Sequence, residues 1–177
     1  MIYTAVNHCD GPVAVRYPRG SALGVPLKDG FEKMEIGKAE TLIPGEDVAL
    51  LALGSMVDYS LKAADLLRQE EINAEVINMR FAKPLDTVKL DEVAAKFSKI
   101  VTLEENNLPG GFGSAVVEYF NDKNYKNNIL RIGLPDNFVD HGTQAELHHL
   151  LDIDPEGIKE KVKVFCEVKT VNQGIIY

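Results

Sequence analysis

The residues best suited to chemistry fall in a few short segments. Tyr17-Pro18-Arg19-Gly20 follows the apolar run Val13-Ala14-Val15. An arginine placed after a strand offers a planar fork of donors that matches a phosphate or a carboxylate. Pro18 would fix the backbone approach and Gly20 would let the chain turn sharply. A solvated arginine at a strand end is the plainer alternative, and it applies equally to Arg16. Gly110-Gly111-Phe112-Gly113-Ser114 is a second such segment. A glycine-rich turn between a strand and a helix has the form of a phosphate cradle. The dinucleotide spacing, however, needs a glycine where Val116 stands, and the phosphate-loop lysine is missing. Glu104 and Glu105 lie just upstream, where they would repel a pyrophosphate. The glycines are therefore read as allowing a helix start to pack tightly, with Glu105 helping to satisfy its free N–H groups.

Arg80-Phe81-Ala82-Lys83-Pro84-Leu85-Asp86 is the third segment. Its two cations suit an anion, or ion pairs with Glu104 or Glu105 across adjacent strand ends; the structural role is the favoured one. Asp86 is placed to cap a helix beginning near Thr87. Of the four histidines, His148 and His149 are neighbours on a helical pattern and cannot share a face, which argues against a metal pair. His8 precedes a loop. His141 sits among turn residues and acids, as a capping or interface residue does. No Ser-His-Asp or Cys-His arrangement stands out, so these residues describe an α/β domain without a self-contained active site.

The elements that must position these groups follow from composition and periodicity. The chain has 177 residues, 45% hydrophobic and 26% charged, which suits one globular domain or a domain with an appendage. With 19 basic against 27 acidic residues, the net charge of −8 argues against nonspecific nucleic-acid binding. No apolar run approaches the ~18 residues that span a bilayer. The first residues lack the form of a secretory signal, and Cys9 and Cys166 are too far apart in sequence to suggest a disulfide framework or a zinc site. A cytoplasmic protein without a membrane or nucleic-acid partner is the expectation.

Four β-branched, apolar runs predict buried strands at Val48–Leu53, Glu75–Met79, Lys99–Leu103 and Ile129–Ile132. Helical spacing separates them: Val57, Leu61, Ala64 and Leu67; then Thr87 to Phe97; then Ser114 to Phe120. Alternation of this kind predicts an α/β fold of three layers, with a mostly parallel sheet of about five strands and one antiparallel edge strand. Thr143 with Glu146 predicts a capped helix start, and Asp154-Pro155 a second. The first 45 residues break this rhythm. Val13 to Tyr17 is expected as a short strand, Ser21 to Glu35 as an extended linker, and Ile36 to Leu42 as an edge strand ended by Pro44-Gly45.

Taken together and in order, the segment 11–20, Asn78-Met79-Arg80-Phe81-Ala82-Lys83-Pro84-Leu85-Asp86, Glu104-Glu105-Asn106 with the glycine turn, Gly133-Leu134-Pro135-Asp136 and His141-Gly142-Thr143 resemble the C-terminal region of the 1-deoxy-D-xylulose-5-phosphate synthases. Transketolases and the β subunits of 2-oxo-acid dehydrogenases are broader relatives. The resemblance runs from Met1 to Phe165. It implies that residues 1–33 are the end of a pyrimidine-binding domain with a linker, 34–167 a transketolase C-terminal domain, and 168–177 a tail. It further implies a transferase that uses thiamine diphosphate and Mg2+, joining pyruvate to glyceraldehyde 3-phosphate with loss of CO2 for the isoprenoid, thiamine and pyridoxal pathways. The cofactor-binding and catalytic motifs of that family match no residue here. The resemblance therefore implies a homodimer-supporting fragment that is inactive alone and binds neither cofactor nor metal. One site residue carries over: Arg19, similar in place to an arginine that grips the acceptor phosphate. A free-standing dimerisation module is the alternative. A nucleotide-binding oxidoreductase domain rests only on the glycine run.

Overall fold

Val48, Ala49, Leu50, Leu51 and Ala52 have no accessible surface, so this strand is covered on both faces. A continuous apolar strand of this kind belongs in the middle of a parallel sheet. In the computed structural model, which describes residues 1–17, 24 and 29–167, it is the centre of a five-stranded sheet. The elements in chain order are α1 (Ile2–His8), β1 (Glu40–Ile43), β2 (Val48–Ala52), α2 (Met56–Arg68), β3 (Ala74–Asn78), α3 (Thr87–Lys96), β4 (Lys99–Asn107), α4 (Phe112–Asp122), β5 (Asn128–Leu134), α5 (Gln144–Leu150) and α6 (Pro155–Glu167). The strand order is β1-β3-β2-β4-β5, with only β1 antiparallel, as the sequence predicts.

Side chains alternate across a strand, and β2 shows the consequence. Val48, Leu50 and Ala52 join Ala63, Leu67, Ile158 and Val162 in the core beneath α2 and α6. Ala49 and Leu51 join Leu90, Val93, Val116 and Phe120 beneath α3 and α4 on the other face. The chain leaves β2 toward β3 and then returns past β2 to β4. A right-handed crossover must then change faces, which puts α2 on one side and α3 and α4 on the other. The reversal opens a crevice at the carboxyl ends of β2 and β4, the usual ligand position in such sheets.

The N-terminal region departs from expectation. Residues 12–17 form no strand and pair with none of the five strands of the sheet. Ile2–His8 is instead a helix that the sequence reading missed. It has no side-chain cap and leaves Ile2 and Val6 exposed, so neither capping nor amphipathic pattern marks it. Thr4 anchors it, with its hydroxyl accepting a bond of 2.9 Å from the Met34 amide. The edge strand is shorter than expected because Ile36-Gly37 forms a turn before it. Part of the expected linker, at 21–23 and 25–28, lies outside the described residues, as do residues 18–20 before it and the expected tail at 168–177.

Three caps set the phase of the helices. The Asp86 carboxylate accepts from Lys89 N at 3.1 Å, as expected for the start of α3. Its other oxygen accepts from Ala39 N at 2.8 Å, so one buried side chain ties the edge strand's approach to the helix. Thr143 and Glu146 form the reciprocal capping box of α5. Asp154 Oδ1 accepts from Gly157 N at 2.8 Å in α6, and its other oxygen meets exposed His149 at 2.7 Å.

Two predictions follow from these caps. Asp86→Ala leaves two backbone donors without their acceptor, and should cost about 2 kcal/mol by chemical denaturation; an unchanged midpoint would refute the double role. The Asp154 hydrogen bond and charge hold the His149 pKa above its ordinary 6.5. Burial pushes the Asp154 carboxyl up, but the Gly157 and His149 bonds outweigh it and hold it below 3.8. By linkage, the His149 contribution is complete below its unfolded pKa and is lost as pH rises through the folded value. The Asp154 contribution is complete above its unfolded pKa and is lost as pH falls through the folded one. An NMR titration should place His149 above 6.5, and Asp154→Asn should bring it back toward that value.

Candidate functional site

The crevice at the switch in strand order is organised by two adjacent carboxylates at the end of β4. Because neighbouring strand residues point to opposite faces, Glu104 and Glu105 serve different elements. Glu104 turns toward α4 and is 1% exposed. Its two oxygens accept from Phe112 N at 2.7 Å and Gly113 N at 2.8 Å. Thus Glu104, rather than the expected Glu105, satisfies the free donors of this helix start. The glycines make room for it. A Cβ on Gly111 would stand 2.3 Å from Glu104 Oε2, and one on Gly113 would stand 2.5 Å from Thr102 Oγ1. The glycine run is thereby explained as packing around an internal anion, and no free phosphate cradle remains there.

Glu105 turns to the other side and gathers α2 and α5. The Ser55 hydroxyl at the start of α2 donates to Oε2 in a close contact. Gln144 Nε2 donates to Oε1 at 2.6 Å, and His148 Nε2 lies 3.2 Å from the same oxygen. Gln144 and His148 are four residues apart on α5 and so share a face. The imidazole is 5% exposed, with Nδ1 3.2 Å from the Tyr59 hydroxyl and its ring edge-on to that tyrosine. Burial pushes the Glu105 carboxyl up, but the bonds from Ser55, Gln144 and His148 outweigh it and hold the pKa below the ordinary 4.5. The group is an ionised tether at neutral pH, with its oxygens committed, and is not arranged as a general acid or base.

Beside it lies a cavity of about 430 Å³, lined in part by Arg16, Tyr17, Leu134, Val139, Leu147 and His148. Arg16, one of these lining residues, donates from Nη2 to the Glu105 main-chain carbonyl at 3.0 Å. It is therefore an exposed residue that makes a contact between the N-terminal segment and the sheet.

The remaining candidates disperse. Arg19 lies outside the described residues. Arg80 pairs with Glu40 of β1 and not with Glu104 or Glu105, because β2 stands between β3 and β4. His141 is exposed. His148 and His149 do face apart, one buried against Glu105 and the other on Asp154. Among the described residues no group of three His, Cys, Asp or Glu side chains is placed to hold a metal ion, and no helix is long and apolar enough to cross a membrane. Sequence reasoning missed Ser55, Tyr59, Gln144 and His148. The four-residue spacing of Gln144 and His148 was a usable signal, but their partner is 39 and 43 residues away.

Comparison with known proteins agrees with this architecture. The chain is 48% identical over 163 residues to the 1-deoxy-D-xylulose-5-phosphate synthase of Acaryochloris marina, a match that takes in 92% of this chain and 26% of that one. The synthase of Microcystis aeruginosa is 45% identical over 177 residues, covering 98% and 28%. The chain therefore spans about a quarter of the length of the curated relatives it matches. A split-gene transketolase, solved as an inactive beta4 tetramer, superposes with a TM-score of 0.70 at 32% identity, over 75% of this chain and 43% of that one. Transketolase from Pichia stipitis shares the fold at a TM-score of 0.56 and 22% identity, over 73% and 18%. The model of the transketolase C-terminal domain matches residues 37–158, and this chain belongs to that family.

Proposed function

We propose that this chain is the C-terminal part of a thiamine-diphosphate-dependent synthase. The enzyme joins pyruvate and glyceraldehyde 3-phosphate to 1-deoxy-D-xylulose 5-phosphate with release of CO2. The observation that carries this reading is the 48% identity over 92% of the chain to a synthase of that name. In this reading residues 1–33 close a preceding pyrimidine-binding domain and 34–167 form the transketolase C-terminal domain. Homodimeric association and a cytoplasmic setting belong to the same reading.

Thiamine diphosphate, when bound, supplies the carbanion chemistry of such an enzyme. The residues of this chain do not fit it. The glycine turn before α4 has the form of a diphosphate cradle, but the Glu104 carboxylate fills it. A cofactor diphosphate would meet that charge. Cofactor and Mg2+ therefore belong, in this reading, to the remainder of the longer chain. What these residues contribute is architecture and one acceptor contact: Arg19 grips the phosphate of glyceraldehyde 3-phosphate. That phosphate is remote from the reacting carbon, so its binding energy serves to orient the aldehyde.

A second reading, a separately made assembly module, draws on the split-gene transketolase, a piece of an enzyme that assembles without activity. Intact mass against the encoding gene separates the two.

Arg19→Ala in the complete enzyme should lower kcat/KM for glyceraldehyde 3-phosphate about a hundredfold, as loss of a charged hydrogen-bonded contact does, and spare the pyruvate KM. An unchanged acceptor kcat/KM would sink the assignment. The 177-residue chain alone should show neither turnover nor calorimetric binding of thiamine diphosphate; either result would overturn the division of labour. Tight binding of NAD would instead favour a dinucleotide domain.

A further inference from the structure

We propose that the cavity beside Glu105 binds a small monocarboxylate with a short aliphatic body, its head on the Arg16 guanidinium and its body against α5. Every residue involved lies in the described part of this chain, so the site does not depend on the identity of the whole enzyme.

The cavity lies at the carboxyl ends of β4 and β5, where open α/β sheets place their ligands. Its volume of about 430 Å³ is that of a small-molecule site. One wall comes from α5 and the residue after it. Gln144, Leu147, His148 and Leu151 recur there at the spacing of a single helical face. His148 is buried, and its two nitrogens face Glu105 and Tyr59. Leu147 and Leu151 instead remain half-buried, as do Leu134 and Val139. Four partly exposed aliphatic side chains around one cavity are apolar surface that a ligand can cover.

Arg16 supplies the polar end. A guanidinium carries several N–H donors, and among the described residues one is used, on the Glu105 carbonyl at 3.0 Å. Arg68 and Arg80 pair with carboxylates, and Arg131 donates to a carbonyl and a hydroxyl. Arg16 has no carboxylate partner among the described residues, although acidic residues outnumber basic ones by 27 to 19. Its one hydrogen bond holds the guanidinium at the cavity and leaves donors for a ligand. The planar fork suits a carboxylate.

Glu105 decides the charge that fits. Its carboxylate oxygens are taken by Ser55, Gln144 and His148, so they do not quench Arg16. One cation nevertheless stands beside one lining carboxylate. A monoanion is accommodated there, whereas a dianion such as phosphate meets net repulsion.

The probe is hexanoate, titrated into the 177-residue chain and followed by leucine and valine methyl NMR. Saturable shifts are expected at Leu134, Val139, Leu147 and Leu151, with a Kd on the order of 1 mM. Hexanol, which lacks the charge, and inorganic phosphate, which lacks the body, should each bind about tenfold more weakly. Arg16→Ala alters an exposed side chain in a segment without helix or strand, so the methyl spectrum of the core should be unchanged. This variant should weaken hexanoate roughly tenfold and leave hexanol unaffected. Arg16→Lys should retain part of the affinity, and Val139→Ser should weaken both aliphatic probes. Shifts that do not saturate, shifts confined to other residues, or equal affinity in Arg16→Ala would overturn the site. Phosphate binding tighter than hexanoate would overturn the monocarboxylate assignment. The same methyl shifts are expected in the complete enzyme. Binding by this chain alone but not by the complete enzyme would mean that another domain seats in the cavity, and would overturn the ligand site as well.

Discussion

At the end of β4 two glutamates stand side by side, and the geometry of a strand forces them apart. A side-chain period of two sends Glu104 under α4 and Glu105 toward α2 and α5. Carboxylates withdrawn from water in this way require partners. Glu104 finds them in two backbone amides of a helix start, where the helix dipole adds to the hydrogen bonds. Glu105 finds them in a serine hydroxyl, a glutamine amide and an imidazole. The dipeptide thereby fastens three helices to one strand end, at the crevice opened by the reversal in strand order.

This arrangement changes how the glycine turn is understood. Gly111 and Gly113 lie so close to Glu104 and Thr102 that a side chain at either position would collide. Their role is to let an internal carboxylate occupy the position that a phosphate takes in nucleotide-binding folds of related form. At this turn the domain gains shape and attachment. The Arg16 bond is an attachment of the same kind, made by the segment leading into the domain.

Much of the fold was legible because its periodicities are local. The apolar runs of β2, β3, β4 and β5 and the helical spacings between them identify a doubly wound sheet, and all four strands fall where those runs lie. Thr143 with Glu146, Asp86 and Asp154 each sit next to the amides they cap, so their roles were equally readable. The N-terminal region was misread for the complementary reason. Val13 to Tyr17 has strand composition, but a strand exists only against a neighbour, and this segment pairs with none of the five strands. Ile2–His8 lacks a cap and an apolar stripe, the features by which a short helix announces itself.

The sequence by itself determined the class of fold, the order of its elements and the absence of a dinucleotide spacing, because each depends on residues within one turn or one strand. Only the tertiary structure decided which glutamate meets the α4 amides, that Arg80 turns to Glu40, and that Gln144 and His148 converge on Glu105. These pairings depend on strand order and on which face each helix covers. The handedness of crossovers sets those in space, across separations of up to 43 residues that no local pattern encodes.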